Sequence, residues 1–570
     1  METPPLAFQI STRKLSAALL GMVLIAYFPA LRGEFIWDDD DHVSNNRLVQ
    51  SADGPADIWF RVGATNQYYP LTYTSFWIEY RLWGLHPTGY HLTNAGLHGI
   101  NAILVGQALR HLCVPGAWVA AALFAVHPVH VESVAWISER KNVLSGFFYL
   151  SALLAYLNSI SDGSKRRGRL YALSILLYVC ALLSKTVTCT LPAVLLLIVW
   201  WKRGRIDVWD VARIVPMILL GLGFGALTVW VERHHVGALG PEWGLSMAER
   251  ALIAGRAVWF YLWKLVWPHP LAFFYPRWPV DAGQFFQYLP PIAVLAVLAG
   301  LWRLRARWGK GPWVAAAYFL ITLFPALGFF NVYPMRFSFV ADHFQYLAAI
   351  GPIAMGAAGL GRMAAPPARL CSGLLIVLFG LLTWNQSMIY RSEERLWRDT
   401  IAQSPESWMP HENLGLLLVK QERFEEAARL FETAIRLKPD RAHAYSNLAG
   451  CLDRLGRPEE AQRLCEEAIR IDPGHVESHY NLGLILERRG RIEEAIAEYL
   501  ASLKGNPHYV FARANLGMLL AGQGRPAEAL AHLREAVRMA PERTEVRAVL
   551  DRVAAEVEQR RAETDGSGSP

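Results

Sequence analysis

The chain has 570 residues, of which 53% are hydrophobic and only 18% are charged, and its formal net charge is +7. This composition excludes a single soluble domain, because the chain is too long for one domain and too apolar for a water-exposed surface. The basic residues stand in short clusters between apolar runs, which is typical of cytoplasmic loops and disfavours a nucleic-acid partner. We therefore predict an all-α chain with a membrane domain over residues 1–389 and a soluble domain after it.

Eleven apolar runs can each form a membrane helix, because about 20 apolar residues cross the hydrocarbon core of a bilayer. A twelfth run, 249–267, carries Arg250, Arg256 and Lys264, so we predict a surface or re-entrant helix there. This choice places the basic loops and the N-terminus in the cytoplasm and the C-terminal half outside. A cleaved signal peptide is the alternative for the first run. The runs lie near 15–31, 90–109, 116–128, 142–160, 170–184, 188–201, 212–231, 285–302, 313–330, 344–361 and 370–389.

Four consecutive aspartates, Asp38–Asp41, follow the first run and stand near the start of a long external loop, 32–89. On the outer side, a carboxylate could take the proton from an attacking hydroxyl. Neighbours in an extended segment alternate faces, so one or two of the four would face a reacting group. We predict a site without a metal. The alternatives are a solvated acid cluster, a helix cap, or Mg²⁺ or Mn²⁺ held by Asp38 and Asp40.

Further polar segments fall on the same outer side in this topology: residues 127–142, the Lys185 turn, and residues 336–346. Cations at these places could hold a phosphate or pyrophosphate leaving group. Each of them could instead be a solvated residue of the membrane interface. The candidate substrate-binding residues are His130, Glu132, Arg140, Lys185, Arg336 and His343.

The soluble half contains an internal repeat with a period of about 34 residues, which is the period of the tetratricopeptide repeat (TPR), two antiparallel helices per unit. We predict a connecting helix or partial repeat at 390–407, four TPR units over 408–543, a capping helix at 544–560 and a disordered tail at 561–570. Cys451 and Cys465 could form a disulfide, although two small core residues are the simpler interpretation. The repeat is clearest at Asn413, Asn447, Asn481 and Asn515 and at Pro439, Pro473, Pro507 and Pro541.

The four repeated asparagines would form one line if the units stack into a superhelix. An amide is both donor and acceptor, so such a line could bind the backbone of an extended polypeptide. The alternative is that each asparagine is solvated or bonds within its own helix.

Five segments, in this order and followed by TPR units, resemble the transmembrane-and-TPR (TMTC) family. They are "FIWDDDDHVSNN" (35–46), "YHLTNAGLHGINAIL" (90–104), "HPVHVESVAW" (127–136), "SKTVTCTLP" (184–192) and "ADHFQYL" (341–347). The resemblance implies a GT-C type glycosyltransferase, a multispan enzyme that uses polyprenyl-phosphate-linked sugars. The eukaryotic members are O-mannosyltransferases of the secretory pathway.

The resemblance also implies roles for particular residues. The catalytic acids of the family match Asp38 and Asp39, and its following asparagines match Asn45 and Asn46, whereas the next two aspartates are additional. The family's Tyr-Arg-Pro-Leu is Tyr68-Tyr69-Pro70-Leu71 here, without the arginine, so Arg61, Arg140 and Lys185 become candidates for the phosphate contact.

We therefore predict transfer of a sugar from a polyprenyl phosphate to Ser or Thr hydroxyls of exported proteins, with the TPR units binding the acceptor. The alternatives are a non-catalytic membrane scaffold and a glycosyltransferase for a lipid or polysaccharide. The Arg/Ala-rich composition indicates a bacterial relative in the inner membrane, whose partners are membrane lipids, the lipid-linked donor and polypeptides.

Overall fold

A computed structural model describes residues 12–161, 166–237, 240 and 243–566. Within these ranges every regular element is a helix and no strand occurs, which confirms the all-α prediction. Two compact units divide the chain, one up to Ser404 and one from Pro405 onward.

Each of the eleven apolar runs falls on a helix. Six helices of the described ranges are long and apolar enough to cross a membrane, and a seventh is added if Ala117–Ala125 and Pro128–Ala135, bent by 54°, form one broken span. The count of eleven spans therefore stays a prediction. The helices on the runs are Thr12–Ala26, Pro87–His111, Ala117–Ala125, Arg140–Ser161, Arg167–Ser184, Leu191–Arg203, Val208–His234, Leu289–Arg303, Gly311–Leu323, Ile350–Leu360 and Ala365–Ile389.

The charged run is the helix Met247–Val266, which is not among the six apolar spans. A capping box between Ser246 and Glu249 begins it. Its basic side chains have partners: Arg250 donates to the Gly328 carbonyl at 2.8 Å, Arg256 lies over the Trp278 ring at 4.4 Å, and Lys264 donates to the Pro270 carbonyl.

Short helices and turns connect the long helices and form the candidate site. In the first loop they are the π-helical turn Asp40–Ser44 and the helices Arg47–Gln50 and Gly54–Phe60, and the 14-residue helix Pro70–Trp83 follows them. Elsewhere they include Ala30–Arg32, Pro128–His130, Val131–Ala135, Ile137–Glu139, Thr186–Thr190, Phe285–Tyr288, Arg305–Trp308, Phe324–Ala326, Tyr333–Arg336 and Asp342–Gln345.

The helix Glu393–Gln403, which we predicted as a connecting helix or partial repeat, belongs to the first compact unit. Its Leu396, Trp397 and Thr400 are buried. The Trp397 ring packs at 5.7 Å from Trp37, next to the aspartates. Residues after the last apolar run therefore contribute to the candidate site.

The second unit consists of paired antiparallel helices and a final single helix. The final helix extends to Gly566, beyond the predicted end at residue 560, and residues 567–570 lie outside the described residues. The tail prediction therefore overlaps a helix over 561–566. The pairs are Trp408–Lys420 with Phe424–Leu437, Ala442–Arg454 with Pro458–Ile471, Val476–Arg488 with Ile492–Gly505 and Val510–Gly522 with Pro526–Met539, followed by Thr544–Gly566.

Small residues make this pairing possible. The alanines that recur once in each unit are fully buried, because the helices approach too closely for larger side chains: Ala427, Ala461, Ala495 and Ala529. The turn between the two helices of a unit needs a left-handed residue, with φ of +76°, +73° and +72° at Gly456, Gly490 and Gly524. Cys451 and Cys465 are free and buried, as two small core residues would be.

Candidate active site

The four aspartates have four different environments. Asp39 is fully buried, and its carboxylate accepts two backbone N–H bonds, from Ser138 at 2.7 Å and from Ile36 at 3.0 Å. Burial raises the pKa of Asp39 to about 7, although both N–H bonds oppose the shift. Asp39 thus ties the first loop to the turn Ile137–Glu139 and is not exposed to a substrate.

Asp38 is half-buried and lies close enough to Lys141 and Glu139 for their charges to act on it. Burial raises the pKa of Asp38 to about 6, the Lys141 ammonium opposes the shift, and Asp41 and Glu139 add to it. The pKa therefore lies just below neutral pH, where a carboxylate is ionised and still basic enough to accept a proton.

The hydrogen bonds of the remaining two aspartates lie within their own segment. Asp40 accepts a hydrogen bond from the Ser44 hydroxyl at 2.5 Å, within its π-helical turn. Asp41 is exposed, and Asn46 donates from its side chain to the Asp41 carbonyl at 2.9 Å. Asn46 also begins the helix Arg47–Gln50 as its N-cap. Because the segment is a turn, the predicted alternation of an extended segment does not apply.

Trp37 orients the aspartates. It has φ of +46°, a left-handed conformation that costs an aromatic residue roughly 1–3 kcal/mol. Packing compensates for this strain, because the indole is surrounded by rings on several elements. These are Trp136 at 5.6 Å, Phe273 at 5.6 Å, Phe274 at 5.4 Å and Trp397 at 5.7 Å.

The Glu139 carboxylate is surrounded by buried charged and polar side chains. It lies 2.9 Å from the Lys141 ammonium and 3.2 Å from the Lys185 ammonium, and it accepts the Asn142 amide at 2.6 Å. His343 Nε2 lies 3.9 Å away. We call these five residues the Glu139 centre. Two ammonium groups share one carboxylate, so they retain N–H donors for a second anion.

His343 links the centre to Glu132. The Glu132 carboxylate lies 2.9 Å from His343 Nδ1 and accepts the His343 backbone N–H at 2.8 Å. The Asn142 amide also donates to the His343 carbonyl at 3.1 Å. Beside the centre, Lys185, Asn142 and His343 line a cavity of about 20 Å³, which is the space of one water molecule.

A second buried pair lies next to His343. The Tyr275 hydroxyl donates to the Asp342 carboxylate at 3.0 Å. Burial raises the pKa of Asp342 well above its ordinary value, Glu132 adds to the shift, and Lys264 opposes it. The pair holds the turn Asp342–Gln345 in place.

Three of the six predicted substrate-binding residues lie together. Glu132, Lys185 and His343 belong to the network around Glu139. Arg336 lies half-buried at the end of the turn Tyr333–Arg336. His130 is fully buried among aromatic rings, with Phe124 at 4.4 Å, and neither ring nitrogen has a hydrogen-bond partner among the described residues. This environment does not support a substrate contact for His130.

Arg140 points away from the Glu139 centre. Its guanidinium is fully buried and forms a bidentate pair with Glu79 at 2.8 and 3.0 Å. It also donates to the Tyr90 carbonyl at 2.9 Å and to the Asn94 side chain. Because these bonds occupy the guanidinium, the predicted phosphate contact is not supported, and Arg140 holds the first loop to the membrane helices.

Lys141 was not among the residues predicted to contact the phosphate, although it stands in the segment 127–142. The signal available was the charge pattern Glu139-Arg140-Lys141 at the start of a helix, where consecutive side chains point about 100° apart. One cation therefore faces the centre and the other faces the core. The Lys141 ammonium also contacts the Gln67 side chain at 3.5 Å, and no sequence pattern indicated that residue.

The repeated asparagines are half-buried, and three of them bond within the solenoid. Asn413 donates to the Met409 carbonyl of its own helix at 3.1 Å. Asn481 donates to Ser446 of the preceding unit, at 3.1 Å to the hydroxyl, and Asn515 contacts the Tyr480 hydroxyl at 3.4 Å. Only Asn413 thus bonds within its own helix, as the alternative describes, whereas Asn481 and Asn515 bond to the preceding unit.

Comparison with known proteins identifies the repeats of the second unit. The family model for the tetratricopeptide repeat matches residues 412–476, 452–510 and 480–544. Among solved structures, YrrB, a TPR protein with an unusual peptide-binding site, is similar at 20% identity over 30% of this chain and 89% of that chain, with a TM-score of 0.24.

The matches to two curated relatives cover more than two thirds of the chain. Protein O-mannosyl-transferase TMTC4 of Mus musculus is 27% identical over 476 residues, 70% of this chain and 63% of the relative. Protein O-mannosyl-transferase TMTC1 of Homo sapiens is 27% identical over 491 residues, 72% of this chain and 54% of the relative. The chain thus spans less than two thirds of the length of these relatives. The homologues of this chain are protein O-mannosyl-transferases of the TMTC family, and its second unit is built from tetratricopeptide repeats.

Proposed function

We propose that the chain is a membrane glycosyltransferase that transfers mannose from a polyprenyl phosphate to Ser or Thr hydroxyls of polypeptides. The observation that carries the proposal is the position of Asp38, a half-buried carboxylate with a pKa raised to about 6, near Lys141 of the Glu139 centre. The names of the relatives support the sugar and the protein acceptor.

Asp38 acts as the base in this proposal. The acceptor oxygen attacks C1 of the sugar, the bond from C1 to the phosphate oxygen breaks, and the hydroxyl proton goes to Asp38. The lysines at 141 and 185 are already held by Glu139, so their ammonium groups need little reorganisation to stabilise the charge that develops on the leaving phosphate. Asp39 orients Asp38 through its two backbone bonds.

A divalent metal between Asp38 and Asp40 fits this geometry poorly. The Asp40 carboxylate accepts the Ser44 hydroxyl, and the Lys141 cation faces Asp38. We therefore assign no step to Mg²⁺ or Mn²⁺.

The proposed location is the inner membrane of a bacterium, with the N-terminus in the cytoplasm and the repeats outside. The basic loops support this orientation, since they then all face inward. A periplasm-dependent reporter fused after Arg391 is expected to be active. Activity from a cytoplasm-dependent reporter alone would contradict the orientation and would place the site on the cytoplasmic side.

The test of the reaction uses the full chain in lipid vesicles with labelled polyprenyl-phosphate mannose and a Ser/Thr peptide. Asp38→Asn is expected to lower the transfer rate by about 10²–10⁴-fold, the typical contribution of a general base. Asp41→Asn is the matched control, because it removes an exposed neighbouring carboxylate and should retain transfer. Equal rates for both variants would contradict the assigned base, and label in lipid instead of peptide would favour a lipid acceptor.

A further inference from the structure

Three potential metal ligands meet in the repeat unit, away from the candidate active site. His443, His475 and Glu477 each offer one ligand atom, and these atoms all lie within 4.8 Å of one another. His475 Nε2 lies 3.0 Å from His443 Nδ1 and 3.6 Å from a Glu477 carboxylate oxygen. His475 is buried, whereas the other two are exposed to solvent.

The two distances from His475 are close to those around a tetrahedral ion. Zinc binds imidazole nitrogen and carboxylate oxygen at about 2.0–2.2 Å, so adjacent ligand atoms around it lie about 3.3–3.6 Å apart. The two distances from His475 bracket this range within a few tenths of an ångström. An exposed side chain on each side of the buried imidazole gives an ion access from solvent.

The position in the repeat is informative. His443 and Glu477 stand one full repeat period apart, so they occupy equivalent places in adjacent units, and His475 lies between them in sequence. At the preceding junction the equivalent residues are Met409, Arg441 and His443, and at the following one Glu477, Tyr509 and Phe511. Neither of those sets offers three metal ligands, so the cluster is particular to one junction.

We infer that His443, His475 and Glu477 form a zinc site that bridges the second and third repeat units. Two imidazoles and one carboxylate are a ligand set that suits zinc, and the fourth position stays open for water. An ion at this place links the helix Ala442–Arg454 to the start of the helix Val476–Arg488. The ion therefore fixes the angle between neighbouring units.

Binding requires a change at His475. His475 Nδ1 accepts the Ser478 backbone N–H at 3.2 Å, so Nε2 carries the proton and donates it to His443. To bind zinc through Nε2, the imidazole holds its proton on Nδ1 and donates it to the Ser478 hydroxyl, which lies 2.7 Å away. The bond from the Ser478 backbone N–H is then lost, and the new bond from Nδ1 to the Ser478 hydroxyl orients the imidazole, as such bonds do for other metal-binding histidines.

The test is a zinc titration of the full chain in detergent, after removal of metal with a chelator. One tight equivalent is expected in the wild type. His443→Ala and Glu477→Gln, both at exposed positions, should weaken its binding by at least about tenfold, since even outer partners of a site contribute 10–100-fold. His508→Ala is the matched control, because it removes an exposed histidine elsewhere in the repeats.

Zinc affinity and unfolding temperature together decide whether these three residues bind the ion. Loss of the equivalent in His443→Ala and Glu477→Gln but not in His508→Ala supports the site. Zinc should also raise the unfolding temperature of the wild type but not of His443→Ala, because only the wild type binds the ion in its folded state. Equal affinity in all four proteins, or no tight equivalent in the wild type, overturns the inference.

Discussion

The two units of the chain use charge in opposite ways. Around the candidate site of the first unit, charged side chains are buried and matched: Arg140 with Glu79, and Lys141 and Lys185 with Glu139. In the repeat unit, arginines pair with glutamates three residues away on exposed helix faces, as Arg457 does with Glu460 and Arg491 with Glu494. The pairs have similar distances and differ in burial.

Burial decides what each pair contributes. Water solvates the members of an exposed pair almost as well when they are apart, so breaking the pair has little effect. A buried charge that loses its partner stays without solvent or counter-charge, and the fold is strongly destabilised. We therefore expect the first unit to be sensitive to single charge changes and the repeats to be tolerant of them.

The largest effect is expected at Arg140. Arg140→Gln leaves Glu79 as an unpaired buried carboxylate, which costs about 3–5 kcal/mol when the partner of a buried pair is removed. The unfolding temperature of the detergent-solubilised chain, followed by tryptophan fluorescence, should fall sharply. The control, Arg457→Gln, breaks an exposed pair and should leave it unchanged. Similar shifts for both variants would contradict the distinction between the units.

The fold was largely predictable from the sequence because its signals are local. An apolar run of sufficient length becomes a helix wherever it stands, and the fixed repeat period returns the same helix pair four times. The place of Glu393–Gln403 was left open between a connecting helix and a partial repeat for the opposite reason. Its sequence shows an amphipathic helix, but the contact of Trp397 with Trp37 joins residues from opposite ends of the first unit, and no local pattern records that.

For the candidate site, the sequence predicted which segments lie on the same side of the membrane but not which side chains meet. Topology alone indicated that the segments of Asp38, Glu132, Lys185 and His343 share one side. It could not show which way each side chain points, because a turn with a left-handed Trp37 replaces the expected extended segment. Arg140 and Lys141 are adjacent in sequence, so a rotation of about 100° separates a structural ion pair from the Glu139 centre.

The Glu139 centre should be sensitive in activity more than in stability. Lys185→Gln leaves Glu139 with Lys141, so folding should suffer less than in Arg140→Gln. The sugar transfer rate should fall by about 10²–10³-fold, the loss typical of one preorganised donor to a developing anion. Rates and unfolding temperatures of the same preparations separate the two effects. A fall in unfolding temperature with an unchanged rate would assign Lys185 to the fold alone.

The pH dependence of transfer tests the same centre more finely. Burial raises the pKa of Asp38 to about 6, and a base must be deprotonated, so the rate should rise with pH and level off above about 6. Below that pH the rate should fall tenfold per unit, because one proton inactivates the base. Lys141→Gln removes the cation that opposes the raised pKa of Asp38, so the fall in rate at acidic pH should begin at a higher pH. If the pH at which the rate falls were unchanged in this variant, Asp38 would be excluded as the titrating group.

In the repeat unit, the smallest expected effect comes from the backbone and not from charge. Glu422 has φ of +61° at the turn where the other three units have glycine at φ of +72° to +76°. The left-handed conformation costs a residue with a Cβ roughly 1–2 kcal/mol, and glycine gives back part of that through its freedom in the unfolded chain. Glu422→Gly should therefore stabilise the repeats by about 0.5–1 kcal/mol, measured as a higher midpoint of the repeat transition in urea. Gly456→Ala is the reverse change in the next unit and should lower that midpoint by a similar amount. If both variants lowered it, the side chain of Glu422 would be contributing more than its backbone strain costs, and the repeats would depend on surface charge after all.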